Sequence, residues 1–282
     1  IYYNIFDMSK GGYYKVIEKK LIPCDLGQIA DSGQCFRLTK QDDNTYKIIA
    51  TDKCTYAHMQ GENLVLECTE QEFDEFWRDY FDFDTDYQKI CDSVDENDEF
   101  LKASVEYGSG MRILKQELWE MLITFMISQN NNIPRIQKSV EAICEKFGRE
   151  KTDNRGNKYF TFPTKDELAK ASIEELRACG LGYRDRYLFE IAHSEFDVYS
   201  IKNMPIDEAE KALCKITGVG KKVANCIKLF GLHDLSSFPI DTWIKKICDK
   251  YYNGSFPVER YKGYAGVIQQ YIFFYGRTGI KL

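Results

Sequence analysis

Lys222 and Asp241 are the two residues of this sequence whose types suggest covalent chemistry. Both lie in the stretch ITGVGKKVANCIKLFGLHDLSSFPID, residues 216–241. A neutral lysine amine can attack an electrophilic carbon and form an imine, and a nearby carboxylate can stabilise positive charge or help to deprotonate the amine. Both residues also have ordinary interpretations, the lysine as a solvated surface charge beside Lys221 and the aspartate as a helix N-cap. The residue types alone leave both interpretations open.

The segment before Lys222 predicts a helix–hairpin–helix over residues 211–227. Its turn, ITGVG, separates two stretches with helical periodicity, AEKALCK and KKVANCIKLF. Gly218 and Gly220 permit positive φ angles and a close approach of the backbone to another molecule. Amides at the start of the second helix attract anions such as a DNA phosphate. An ordinary turn between packed helices explains the same pattern, so the motif alone does not decide between them.

Composition restricts the class of protein. The chain has 282 residues and a net charge of −6, but residues 70–99 hold 13 acids and 2 bases, so the remaining chain is net basic at +5. We expect this acidic block to face solvent, away from DNA. The ten cysteines form no CxxC pair, which predicts free thiols rather than a zinc site. The absence of a long apolar run and of a signal-like start predicts an intracellular protein without a membrane partner.

The elements that must position these residues follow from periodicity. Short runs in residues 1–66 predict an antiparallel meander: QCFRLTK, TYKIIATD and NLVLEC. Beyond about residue 70 apolar residues recur at helical spacing in ELWEMLITFMISQ, RIQKSVEAICEKFG, SIEELRACG, DEAEKALCKI and KKVANCIKLFG. The polar stretch GREKTDNRGNKY predicts a surface loop. The fold class is therefore α+β, with a sheet domain over residues 1–105 and a larger helical domain over residues 106–282.

Seven strings occur in an order that resembles one enzyme family. They are DSGQCFRL, YFDFDTDY, SQNNNIPRI, GLGYRDRY, EKALCKITGVGKKVANCI, FPID and GYAGVIQQYIFF. From about residue 20 to 275 the chain resembles the 8-oxoguanine DNA glycosylase/AP lyases of the helix–hairpin–helix (HhH-GPD) superfamily. The resemblance implies a TBP-like N-terminal sheet, an all-α HhH-GPD domain and duplex DNA in the cleft between them.

The resemblance assigns chemical roles to both residues. Lys222 would attack C1′ of the damaged nucleotide, the base would leave, and a Schiff base would form on the sugar before β-elimination cuts the strand. Asp241 would remain a carboxylate and could also cap its helix. The target base must leave the duplex to reach these groups.

Four further residues would form the base pocket. By resemblance, the Gly33 carbonyl accepts the N7 hydrogen that 8-oxoguanine carries and guanine lacks, and Gln269 reads the Watson–Crick edge. Cys226 and Phe273 would sandwich the ring. From periodicity alone, Cys226 and Phe273 predict core packing, and Gln269 beside Gln270 predicts a solvent-facing side chain.

The resemblance also implies residues that support the vacated duplex. Asn130, Arg135 and Arg184 would hydrogen-bond the orphaned cytosine, and Tyr183 would wedge into the base stack. Without the resemblance, NNN is a helix cap, the arginines are surface charges and the tyrosine covers a turn. Trp243 is a departure, since the better-known animal members have histidine there, which puts a phosphate or pocket contact at this position in doubt.

The expected partner is double-stranded DNA containing 8-oxoguanine, bound by a monomer in a bacterial cytoplasm and nucleoid or a eukaryotic nucleus. No cofactor is required, and Cys248 is the last cysteine, which excludes the iron–sulfur branch. Carbonyls of Cys214, Ile216 and Val219 could hold a monovalent or calcium ion. Two alternatives stay open. One is a monofunctional alkylated-base (3-methyladenine type) glycosylase, which lacks the lysine, and the other is a non-catalytic DNA-binding module.

Overall fold

The N-terminal part of the chain forms one antiparallel sheet. The computed structural model describes residues 2–7, 12–42 and 44–280. Within them the strands are β1 (Tyr2–Asp7), β2 (Gly12–Lys20), β3 (Leu38–Lys40), β4 (Tyr46–Ala50), β5 (Lys53–Gln60) and β6 (Asn63–Leu66). They pair in the order β1-β2-β6-β5-β4-β3, with every pair antiparallel. The predicted meander is confirmed for β3 to β6. Strand β2 pairs with β6, and β1 pairs with β2 at the edge of the sheet.

The sheet buries one apolar face against short helices. These are α1 (Leu26–Asp31), α2 (Glu70–Glu72) and α3 (Arg78–Tyr80), the last two joined by a π-helical turn, Phe73–Trp77. Ile17, Ile48 and Leu66 of the sheet pack with Phe73 and Trp77 in this core. Burial of such side chains stabilises the fold by about 1.5–3 kcal/mol each.

The remaining chain is mainly helical. The helices are α4 (Tyr87–Asp92), α5 (Glu99–Gly108), α6 (Leu118–Ser128), α7 (Ile133–Phe147), α8 (Lys165–Leu168), α9 (Ile173–Ala178), α10 (Arg184–His193), α11 (Ile206–Leu213), α12 (Lys221–Gly231), α13 (Thr242–Tyr251) and α14 (Ala265–Phe274). All five helical stretches predicted from periodicity form helices. Helix α6 is buried from Leu118 to Ile127, so it lies at the centre of this domain. The α+β class with a sheet domain and a larger helical domain is confirmed.

One predicted loop is wrong. Within GREKTDNRGNKY the structure has a two-stranded hairpin, β7 (Glu150–Thr152) and β8 (Lys158–Phe160). Its turn is held by the buried carboxylate of Asp153, which accepts hydrogen bonds from the backbone N–H groups of Arg155 and Asn157 and from the Tyr56 hydroxyl. The polar composition gave no sign of this hairpin, because its turn is stabilised by hydrogen bonds to one buried aspartate and not by an apolar strand face that periodicity would reveal.

The acidic block faces solvent along most of its length. Ten of its acids are exposed: Glu70, Glu72, Asp74, Glu75, Asp79, Asp84, Asp86, Asp92, Glu96 and Glu99. Asp95 and Asp98 are half-buried, and Asp82 is buried and lies 2.9 Å from Nε2 of His233. Its pKa is about 2, since burial raises it but hydrogen bonds from His233 and other neighbours lower it more.

The two cores meet near the predicted domain boundary. Side chains of α4 and α5, including Tyr87 and Leu101, are buried in the helical core, and Leu114 is buried in the sheet core. The boundary at 105/106 stays a prediction. Within the described residues, no helix has both the length and the apolar character needed to cross a membrane.

Candidate active site

A cavity of about 840 Å³ lies between the sheet domain and the helical domain. The sheet domain contributes Gly33 and Phe36 to its wall, and the helical domain contributes the remaining residues, among them Lys222, Asp241 and Phe273. A smaller recess of about 50 Å³ shares these three with the cavity and adds Cys226 and Gln269 to the lining. The predicted catalytic and base-pocket residues therefore lie together.

Lys222 projects from the first turn of α12. Its side chain is half-buried, and Nζ lies 5.7 Å from the centre of the Phe125 ring. Lys222 lies at the N-terminal, positive end of the α12 dipole, and a lysine nucleophile must react as the neutral amine. Lys221 is exposed. Within the described part of the chain Lys222 forms no ion pair with Asp241, so its amine is not held by a salt bridge.

Asp241 caps helix α13, as predicted for an aspartate before an amphipathic run. Its Oδ1 accepts hydrogen bonds from the backbone N–H groups of Trp243 (3.0 Å) and Ile244 (2.8 Å). Both bonds use one oxygen, and the residue also lines the cavity. The structural role as a cap and the proposed chemical role are therefore compatible.

Three of the predicted base-pocket residues line the recess from two domains. Gly33 has φ +79°, and a Cβ there would lie 3.3 Å from Cδ1 of Ile133 and 3.9 Å from Cε1 of Phe273. Cys226, one turn after Lys222, is 4% exposed, and burial raises the pKa of its thiol. Because Gly33 has no side chain, its backbone can lie close to Ile133 and Phe273.

Gln269 is buried rather than solvent-facing, and so is Gln270. The prediction from two adjacent polar residues is wrong because α14 is packed on all sides from Ala265 to Ile272. Nε2 of Gln269 donates to the Pro239 carbonyl (3.0 Å), two residues before Asp241. The amide of Gln269 is therefore tied to the loop that carries the carboxylate.

The two glycines of the hairpin have different surroundings, since Gly218 lies against a side chain and Gly220 faces open space. Gly218 has φ +84°, and a Cβ there would lie 2.6 Å from Cδ2 of Tyr187. Gly220 is the N-cap of α12, no side chain caps that helix, and a Cβ at Gly220 would meet nothing within 4 Å. The turn presents backbone amides to the outside. Lys228 and Glu210 join the two helices by a 2.6 Å ion pair.

The carbonyls proposed for an ion lie in this turn. The Ile216 carbonyl also accepts the Val219 N–H at 2.9 Å, which leaves it one lone pair. Backbone carbonyls are hard oxygen ligands and suit sodium, potassium or calcium. Cys214 and Val219 supply the other two carbonyls, and this ion stays a prediction.

Three of the four residues predicted to support the duplex, Asn130, Tyr183 and Arg184, contact one another, and Asn130 lines the cavity. Tyr183 is 50% exposed, Asn130 has φ +46° and its Nδ2 lies 3.4 Å from the Tyr183 hydroxyl. Arg184 is 3% exposed, stacks on the Tyr183 ring and donates to the carbonyls of Gln129, Asn130 and Leu181. In this structure Arg184 holds the asparagine loop, and its contact with a base stays a prediction.

Two other predicted DNA-facing residues are placed by helix caps. Asn132 caps α7 by accepting the backbone N–H of Arg135 (3.0 Å), and the Arg135 side chain is exposed. Trp243 lines the cavity, with Nζ of Lys246 5.2 Å from its ring centre. The ordinary interpretation of NNN as a cap is confirmed for its third asparagine.

Sequence reasoning missed several residues that line the same cavity. Ile133 contacts the space above Gly33, Ile240 is 57% exposed, and Arg277 donates to the Asp31 carbonyl with its guanidinium 5.7 Å from the Phe273 ring. Exposed apolar residues have no periodic signal. Arg277 spans the two domains, a contact that no local pattern predicts.

Comparisons with known proteins agree with this arrangement. Residues 16–122 match the family model described as 8-oxoguanine DNA glycosylase, N-terminal domain, and residues 123–256 match the HhH-GPD superfamily base excision DNA repair protein model. An N-glycosylase/DNA lyase of Saccharomyces cerevisiae is 32% identical over 258 residues, covering 80% of this chain and 68% of the relative.

Solved structures resemble the whole chain. The 8-oxoguanine glycosylase/lyase of Clostridium acetobutylicum, in complex with duplex DNA containing cytosine opposite 8-oxoguanine, superposes with a TM-score of 0.89 at 33% identity. That match covers 99% of this chain and 98% of the other. The structure of MBOgg1 with a low-affinity DNA ligand also gives 0.89, at 31% identity and 100% coverage of both chains. The chain belongs to the 8-oxoguanine DNA glycosylase family of the HhH-GPD superfamily.

Proposed function

We propose that this protein excises 8-oxoguanine from duplex DNA and then cleaves the strand, with Lys222 as nucleophile and Asp241 as its partner. The observation that carries the proposal is that these two side chains line one interdomain cavity with Gly33 and Phe273, and that Cys226 lines the small recess that shares these residues. The cavity is large enough for an extruded base, which ligand sites of about 300–1,000 Å³ accommodate.

The reaction follows from the amine. Neutral Lys222 attacks C1′, the glycosidic bond breaks with its electron pair moving to the base, and the departing base takes up a proton. Opening of the sugar gives an imine between the lysine and C1′. Removal of a C2′ proton then expels the 3′ phosphate by β-elimination. The free oxygen of Asp241 stabilises the positive charge that develops on the sugar.

Selection of the damaged base rests on one hydrogen. 8-Oxoguanine carries hydrogen on N7, whereas guanine has a lone pair there. The Gly33 carbonyl accepts the former and repels the latter. Cys226 and Phe273 enclose the ring, and Gln269 contacts its Watson–Crick edge.

The rim residues hold the opened duplex. Tyr183 enters the stack, Asn130, Arg135 and Arg184 contact the orphaned cytosine, and Trp243 approaches the nearby backbone. Hairpin amides after Gly220 bind a phosphate, with an ion on the carbonyls of Cys214, Ile216 and Val219. The protein acts as a monomer on genomic DNA inside the cell.

The test is borohydride capture on a duplex with 8-oxoguanine opposite cytosine. Borohydride reduces the imine to a stable amine, so wild-type protein becomes covalently joined to DNA. Lys222→Gln is expected to lose capture while its affinity for an abasic-site duplex changes less than about tenfold, roughly 1.4 kcal/mol. Lys221→Gln is the matched control, since this neighbouring lysine is exposed, and it should retain capture.

Other outcomes separate the alternatives. Undiminished capture by Lys222→Gln would mean that another amine is the nucleophile. Excision of 3-methyladenine without strand cleavage or capture would indicate the alkylated-base type. Binding without excision of any lesion would indicate a non-catalytic module.

A further inference from the structure

Two adjacent glutamines on α14 form a buried amide chain that reaches the catalytic loop. Gln269 is 3% exposed and Gln270 is 5% exposed. Nε2 of Gln270 donates to Oε1 of Gln269 (2.8 Å), and Nε2 of Gln269 donates to the Pro239 carbonyl (3.0 Å). Both glutamines line the small recess together with Lys222 and Asp241.

The chemistry of Pro239 fixes the direction of this chain. A backbone carbonyl can only accept, so Gln269 must present its NH₂ group there. Its Oε1 consequently faces Gln270, which must donate in turn. The Pro239 carbonyl therefore holds the NH₂ end of the Gln269 amide, and Gln270 holds its Oε1 end.

Gln270 has a buried acceptor atom that an apolar side chain at this position would lack. Its Oε1 is buried and has no hydrogen-bond partner among the described residues. A buried acceptor without a partner destabilises a protein, and an isosteric methionine would not have one. What glutamine supplies here and methionine cannot is the N–H donated to Gln269.

We infer that Gln270 is a positioning residue that holds the Oε1 end of the Gln269 amide, while the Pro239 carbonyl holds the NH₂ end, and that it thereby sharpens the selection of guanine-type over adenine-type lesions; the inference rests on the proposed function. Locked in this way, Gln269 keeps one N–H and one lone pair for a ligand. The guanine edge offers O6 as acceptor and N1–H as donor, in one order. The adenine edge offers the N6 amine as donor and N1 as acceptor, in the reverse order. An inverted Gln269 amide would favour the second.

The experiment compares excision of 8-oxoguanine and 8-oxoadenine, each opposite cytosine, by kcat/KM. Gln270→Met removes the donor at constant size, and we expect the preference for 8-oxoguanine to fall about tenfold or more. Gln270→Glu replaces the donor with an acceptor, and an ionised carboxylate would repel Oε1 of Gln269 and compete with the Pro239 carbonyl for its NH₂ group, so the preference should fall further.

A double-mutant comparison separates positioning from a structural role. In a Gln269→Ala background, Gln270→Met should leave the preference unchanged, because no amide remains to be oriented. A structural role would instead lower activity on both lesions alike and would persist in that background.

Two outcomes overturn the inference. A preference that is the same in wild type, Gln270→Met and Gln270→Glu, with melting temperatures showing folded protein, overturns it alone and leaves the proposed function standing. If Gln270→Met does not fold, Gln270→Glu carries the same comparison. A wild-type protein that excises no 8-oxoguanine overturns the proposed function and this inference with it.

Discussion

At the scale of single residues, Asp241 shows how a structural role can prepare a chemical one. Two backbone amides hold Oδ1, so the N-cap orients the side chain that lines the cavity. An aspartate N-cap contributes about 1 kcal/mol to stability. The ordinary interpretation of this residue from sequence was correct and did not exclude the other one.

The Gly33 carbonyl predicts a selective defect in Gly33→Ala. The new Cβ would press on Ile133, and the φ of +79° is strained for alanine, so the backbone must move. We expect the ratio of kcat/KM for 8-oxoguanine over guanine to fall by tenfold or more, on the order of 1.4 kcal/mol. Single-turnover excision assays on matched duplexes measure this ratio.

A second glycine separates strain from recognition. Gly156 has φ +80°, and a Cβ there would meet nothing within 4 Å, in the turn between β7 and β8. Gly156→Ala should lower the free energy of unfolding by about 1–2 kcal/mol, because alanine is strained at this φ, without changing the ratio of kcat/KM for 8-oxoguanine over guanine. Equal ratios in wild type and Gly33→Ala would remove the carbonyl from the recognition mechanism.

Single residues differ in how well the sequence predicted them. Lys222 and Asp241 were identifiable because glycine turns and helix starts leave local signals. Gln269 was assigned to the pocket only by resemblance, and the burial of Gln269 and Gln270 was not predicted, because two neighbouring polar residues indicate solvent unless the helix is known to be central. Their burial depends on which helices surround α14, which is a property of the tertiary fold.

At the scale of elements, the two glycines of the hairpin have different surroundings. Gly218 is required by its positive φ and by the Tyr187 ring against it, whereas Gly220 has an ordinary φ and open space. The sequence motif treats the two glycines alike. The structure assigns the first to packing between the turn and α10.

The hairpin predicts opposite phenotypes for two similar substitutions. Gly218→Ala should destabilise the protein by roughly 2–4 kcal/mol, because it combines backbone strain with a clash against a packed ring. Gly220→Ala should cost at most about 1 kcal/mol as a weaker N-cap but should weaken DNA binding, since its Cβ would stand where the phosphate approaches. Thermal melting and fluorescence anisotropy with a duplex measure the two effects. The reverse pattern would show that Gly220, not Gly218, maintains the fold.

Elements were predicted where one physical signal dominated. Apolar periodicity gave the long amphipathic helices, since a buried stripe is written locally in the sequence. The β7–β8 hairpin was missed because its order comes from Asp153 and from contacts with distant residues such as Tyr56. A strand without an apolar face leaves no period to detect.

At the scale of the whole molecule, two buried charged side chains, Glu120 and Arg37, form contacts between the two domains. Glu120 of α6 is 6% exposed and accepts the backbone N–H of Thr51, which follows β4. Arg37, also buried, donates to the Phe160 carbonyl and lies 3.7 Å from Glu141. Burial raises the pKa of Glu120 to about 7, although Arg37 opposes this shift.

This contact predicts how stability depends on pH. The pKa of Glu120 is raised from about 4.5, so between pH 4.5 and 7 the unfolded chain releases a proton that the folded protein keeps. Stability from this group is therefore present below pH 4.5 and is lost as pH rises to about 7. Between pH 4.5 and 7 the free energy of unfolding of Glu120→Gln should therefore fall by roughly 1–3 kcal/mol less than that of the wild type. Urea denaturation at several pH values, wild type minus variant, isolates the effect.

Glu106→Gln serves as the control, since Glu106 is an exposed glutamate of α5. Its difference curve should be flat from pH 4.5 to 7. A flat curve for Glu120→Gln as well would show that the carboxyl titrates normally and that water reaches the contact between the domains.

The tyrosine that lies against Gly218 also touches Tyr183, with ring centres 5.8 Å apart. Tyr187 therefore links the hairpin turn to the ring proposed to enter the base stack. If the turn holds a phosphate as proposed, this packing keeps the distance between that phosphate and the inserted ring constant while the protein moves along a duplex.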